Sequence, residues 1–68
     1  MADVTYQKIQ LVGTSTKSLS DAISVAVAKA AGIIKEPTWF EVIEQRGAIS
    51  NGKVQQFQVT ISVGGRME

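Results

Sequence analysis

The chain has one tryptophan, Trp39, at the head of Trp39-Phe40-Glu41-Val42-Ile43-Glu44-Gln45-Arg46-Gly47. An indole is a large flat surface with one polar handle, which suits either an aromatic ligand or a protein interface. Glu41 and Glu44 stand three apart in what reads as a strand. They point to opposite faces and cannot form an acid–base pair; both read as solvated or ion-paired carboxylates. With no histidine and no cysteine, Ser-His and Cys-His nucleophile pairs cannot form, and imidazole and thiolate metal ligands are missing. Gly13-Thr14-Ser15 lacks the spacing and the lysine of a phosphate-binding loop. The residues point to a binder or a scaffold, and not to an enzyme.

Sixty-eight residues make one small domain, spanning 1–68, and a chain this short is marginal alone. Disulfides, a structural metal or oligomerisation usually make up the deficit, and the composition leaves oligomerisation. Seven Lys plus Arg are scattered among six Asp plus Glu. Phosphate-backbone binding needs clustered basic residues, so no nucleic-acid partner is expected. No apolar run reaches membrane-spanning length. Met1-Ala2-Asp3-Val4 has neither the charged nor the apolar region of a leader. The expectation is a cytoplasmic protein with no membrane partner.

Tyr6 to Val12 alternates as a strand, with Ile9 and Leu11 on one face and Lys8 and Gln10 on the other. Gly13-Thr14-Ser15-Thr16 reads as a turn. One helix is predicted from about Ser18 to Ile34. Ser18 is its N-cap, Asp21 suits its first turn, and Pro37 ends the region. Ile23, Val27, Ala30 and Ile34 form the stripe expected to meet the sheet. Val25, Ala28 and Ile33 lie off that stripe, so a second helix face is expected to be buried against another subunit, the alternative being weak amphipathicity in a small domain.

Asn51-Gly52 is a strong two-residue hairpin signal. A type I′ turn there pairs Ser50 with Lys53, Gln45 with Gln58, Val42 with Ile61, Phe40 with Val63 and Trp39 with Gly64. Phe40, Val42, Ile61 and Val63 then share the core face. Trp39, Glu41, Ile43, Gln45 and Gln58 share the outer one, while Arg46 has core-face parity. Gly64-Gly65 also allows a frayed strand end. The order strand, helix, strand, strand predicts an α+β, β-α-β-β fold: a three-stranded antiparallel sheet with one helix.

These residues resemble the dodecins. The resemblance spans nearly the whole chain, from Leu11-Val12-Gly13-Thr14-Ser15 through Ala22-Ile23 and Ala28-Lys29-Ala30. Its specific part is Trp39-Phe40-Glu41-Val42, then Arg46-Gly47, Phe57-Gln58-Val59 and Val63-Gly64. It implies a sheet wrapped around the helix, and a hollow homo-dodecamer that stores FMN or riboflavin between subunits without turnover. Some relatives also bind coenzyme A, so a shell that holds coenzyme A or no flavin is the alternative. By resemblance, Trp39 stacks on the isoalloxazine, Gln58 hydrogen-bonds its polar edge, and Arg46 lies near the pocket. The chain departs from the family pattern at Gly65, where an aromatic is common, at Ala48, often histidine, and at Pro37. Gly65 is expected to open a cavity, loosen an interface or enlarge the pocket, and Pro37 to re-aim Trp39. If Trp39 and Gln58 serve one ligand, their separation along the hairpin requires that they come from different chains.

Overall fold

The computed structural model describes residues 3–67; Met1 and Ala2, on which the leader reading partly rests, lie outside them. Four elements follow in order: β1 (Thr5–Ser15), α1 (Leu19–Ala30), β2 (Pro37–Ser50) and β3 (Lys53–Met67). β3 is the central strand, antiparallel to β1 on one side and to β2 on the other. This is the expected β-α-β-β arrangement. The hairpin turn is also as expected: Asn51 and Gly52 have φ of 54° and 72°, the two positive values a type I′ turn needs.

Three boundaries differ from expectation. β1 runs through Gly13-Thr14-Ser15 to the pair Ser15↔Phe57, so this segment is strand and not turn. β3 likewise continues through Gly64 and Gly65 to Met67, held by β1 across Lys8↔Gly64 and Thr5↔Met67. The α-helix ends at Ala30. Gly32 N–H then bonds Lys29 O, and Ile33 N–H bonds Ala30 O, in the tighter i→i+3 pattern that closes a helix end. Ser18 is the N-cap, its hydroxyl accepting from Asp21 N–H at 2.9 Å. Ser15 ties the preceding loop to the helix: its Oγ donates to Asp21 Oδ2 at 2.7 Å and accepts from Lys17 N–H at 2.9 Å.

The helix face that meets the sheet is also corrected. Ala22, Ala26 and Ala30 are 0–3 % exposed, with Ile34 beside them, while Ile23 and Val27 are only partly buried. The cause lies beneath the helix. A Cβ at Gly13 would run into the Ala22 carbonyl oxygen and come within 2.8 Å of Ala26 Cβ. Such close contact admits only small residues, so the larger ones move to the flank. Val59, Ile61 and Val63 complete the core from β3.

The helix lies over β1 and β3 and barely touches β2. Phe40 and Val42, assigned to the core face, stay exposed, as do Val25 and Ile33. An open groove of about 560 Å³ runs between Ile23, Val27 and Ala28 of α1 and Phe40 of β2. The subunit measures 57 × 18 × 14 Å, with a radius of gyration of 14.2 Å, against about 11 Å for a compact chain of this length. The far part of the hairpin extends beyond the helix as an arm. At its end Ile49 and Val54 pair, both largely exposed.

Candidate functional site

The hairpin register is as expected at both ends and shifted by one in the middle. Ser50↔Lys53 and Ile49↔Val54 hold near the turn, and Val42↔Ile61, Phe40↔Val63 and Trp39↔Gly64 hold at the far end. Between them, Glu44↔Thr60, Gln45↔Val59, Arg46↔Gln58, Gly47↔Phe57 and Ala48↔Gln56 are displaced. Bulges leave Gln55 unpaired on β3 and Ile43 unpaired on β2. A bulge changes which face the following residues present, so simple alternation gives the wrong parity across this segment.

Three assignments change in consequence. Glu44, across from Thr60, joins Glu41, across from Ser62, on the outer face, so the two carboxylates share a face and do not oppose each other as alternation predicts. Gln45 moves to the helix side, where it lines a hollow of about 290 Å³ with Leu19 and Phe57. Arg46 moves to the outer face, directly across from Gln58. Its Nε donates to Gln58 Oε1 at 2.9 Å. Gln58 Nε2 in turn donates to Gln56 Oε1 at 2.9 Å. Sequence reasoning missed Gln56 as a member of this chain. Its parity with Gln58 was the available signal.

Trp39 lies on the outer face, some distance along the same strands. A Cβ at Gly64 would run into the indole Cζ2 and Cε2 atoms, so the ring lies over the bare backbone of β3. The residue is 39 % exposed, which leaves the outward side of the ring accessible. Pro37 pairs with Gly65 at the start of the strand, where a missing N–H is tolerated. Thr38 Oγ1 donates to Gly64 O at 3.3 Å, fixing the irregular step into Trp39. The expected pairing Trp39↔Gly64 is therefore intact with Pro37 present.

Gly65 opens no cavity. A Cβ there would overlap Ile34 Cγ2 and approach Glu36 O at 2.6 Å. The chain after the helix fills the space that a large side chain would need.

Tyr6 of β1 meets Trp39 edge to face, with ring centroids 5.1 Å apart at 63°. Lys8 Nζ pairs with Glu41 Oε1 at 2.9 Å, tying β1 to β2 across β3. Between these flanks Ser62 is only 2 % exposed. Among the described residues, no three His, Cys, Asp or Glu gather to hold a metal. No described helix is long and apolar enough to cross a membrane.

The outer face thus carries an aromatic platform at Trp39 and a polar chain at Arg46-Gln58-Gln56. Gln58 lies six residues before Gly64 on β3, roughly 20 Å at about 3.3 Å per residue. One chain therefore cannot bring both groups to a single ring-sized ligand. This describes a small α+β chain with two separate groups of candidate site residues and exposed apolar faces.

The dodecin family model matches residues 5–68, and the chain belongs to that family. A curated dodecin of Thermus thermophilus is 44 % identical over 63 residues, covering 93 % of this chain and 91 % of its own. The dodecin structure from Streptomyces davaonensis matches with a TM-score of 0.93 at 34 % identity over 98 % of both chains. A calcium-chelating antigen of Mycobacterium tuberculosis, calcium dodecin, matches at 0.81 and 29 % identity, covering 94 % of this chain and 91 % of its own.

Proposed function

We propose that this protein is a non-catalytic cytoplasmic store for flavin, FMN or riboflavin, held between subunits of a homo-dodecamer. The observation that carries the reading is the seat of Trp39: an indole laid on Gly64 with its outward side accessible. Such a ring offers stacking worth about 1–3 kcal/mol per aromatic ligand face. Gln58, held by Arg46 and Gln56, supplies amide hydrogen bonds for the dioxo edge of the isoalloxazine. Because the two lie far apart in one chain, Gln58 comes from a neighbouring subunit. The exposed Phe40, Val42, Val25 and Ile33 are the surfaces that assembly would cover.

The test is a titration of the protein into riboflavin or FMN, followed by flavin fluorescence. Strong quenching is expected. Trp39→Ala should weaken binding roughly 10- to 100-fold, at about 1.4 kcal/mol per factor of ten. Unquenched flavin at micromolar protein would refute the reading.

A shell that holds coenzyme A in place of flavin is the second reading. It is favoured by Arg66, which pairs with Tyr6 in the row beside the Trp39 seat and can meet a phosphate. Competition between coenzyme A and flavin for the protein separates the two.

A further inference from the structure

Tyr6 and Trp39 lie on strands that are not neighbours. β3 runs between them, with Tyr6 in the row of Arg66 and Trp39 in the row of Gly64. Their rings meet only because Gly64 raises no side chain into the path. We propose that Tyr6 is a positioning residue: it holds the Trp39 indole over Gly64, so that a planar ligand meets a stacking surface already set. The inference rests on the flavin reading for the identity of that ligand.

An indole on an exposed edge strand has two free torsions, and ordering it at the moment of binding weakens affinity. Here four features surround it before any ligand binds. Gly64 forms the floor, and Thr38 Oγ1 bound to Gly64 O pins the backbone just before the ring. The Lys8–Glu41 pair stands on the flank toward Ser62, and Tyr6 on the flank toward Arg66. Tyr6 is the one aromatic contact among them. Edge-to-face geometry at this separation is favourable beyond simple burial. Tyr6 is 45 % exposed and outside the buried core, so its contact with Trp39 is separable from folding of the chain.

The experiment uses the fact that the chain has one tryptophan and one tyrosine. Time-resolved anisotropy of Trp39 emission is measured on assembled, ligand-free wild type, Tyr6→Leu and Tyr6→Phe. Riboflavin and FMN are then titrated into each. Tyr6→Leu should add fast depolarisation of the indole and weaken flavin binding roughly 3- to 10-fold. Tyr6→Phe keeps the ring and should behave as wild type in both. Unchanged anisotropy in Tyr6→Leu, or unchanged affinity beside a flavin-binding wild type, overturns the proposal. Should Tyr6→Leu not assemble, Tyr6→Thr, a good strand former, repeats the comparison. A wild type that binds neither flavin refutes the flavin reading instead, and the ligand-free anisotropy then decides the positioning role alone.

Discussion

Arg46 faces Gln58 across the β2–β3 ladder and donates through Nε to its Oε1 at 2.9 Å. The Gln58 amide passes a second bond to Gln56 Oε1, so its direction is held from both ends: oxygen toward Arg46, nitrogen toward Gln56. Removing the guanidinium frees the amide to turn over. Arg46→Ala should lower stability by about 0.5–1.5 kcal/mol, the usual net value of one such bond. It should weaken flavin binding as well. Arg46→Lys should not restore the site, since an ammonium lacks the planar donor geometry. Denaturant midpoints and flavin titrations on the two variants check this, and an unchanged affinity in Arg46→Ala would take Arg46 out of the site.

Gly64→Ala places a methyl where the Trp39 ring now lies. Overpacking of this kind typically costs about 1–3 kcal/mol, and the ring can escape it by leaving its seat. The expected outcome is a red-shifted Trp39 emission with loss of flavin quenching. Emission and quenching like those of wild type would mean that the ring does not depend on the glycine.

Gly65→Phe introduces the aromatic that the resemblance leads one to expect at this position, yet it should destabilise this protein. The new side chain meets Ile34 and the Glu36 carbonyl, and the expected loss is about 1–3 kcal/mol. Adding Ile34→Ala to Gly65→Phe should recover part of the loss, a coupling that a double-mutant cycle measures. Purely additive effects would place the two side chains apart.

Assembly and ligand should be linked. If binding needs Trp39 of one subunit and Gln58 of another, dilution or mild denaturant releases flavin in step with dissociation. The apparent stability should also rise with protein concentration. Native mass spectrometry alongside flavin fluorescence follows both. Flavin retained by an isolated subunit would contradict a shared site.

Much of this architecture can be read from local pattern. Ser18 caps the helix, Asn51-Gly52 turns the hairpin, and the Trp39↔Gly64 and Phe40↔Val63 pairs come out right on counting back from that turn because the bulges at Gln55 and Ile43, on opposite strands, cancel. What pattern hides is contact between elements. The helix face is set by Gly13 beneath Ala22 and Ala26, a distance that no amphipathic period encodes. Ile23 and Val27 look like the better core residues on hydrophobicity alone. Gly13-Thr14-Ser15 has turn composition but is held as strand by Val59, Gln58 and Phe57 opposite. The site was half legible for a related reason. Trp39 and Gln58 occupy their expected face, whereas Glu44, Gln45 and Arg46 change faces between bulges at Ile43 and Gln55 that the alternation of residue types does not reveal.

The bulges at Ile43 and Gln55 have a consequence for the shape of anything this subunit builds. Ile43 and Gln55 are each unpaired, on opposite strands, so deleting either residue would remove no ladder pair. Deletion would instead remove bend and twist, which bulges add to a hairpin. A wall made of straight arms stays open, whereas curved arms can close on themselves. Any bend that these two residues put into the arm is separable from the pairing that holds the strands together. A subunit lacking both would keep its ladder and lose the bend and twist that bulges add.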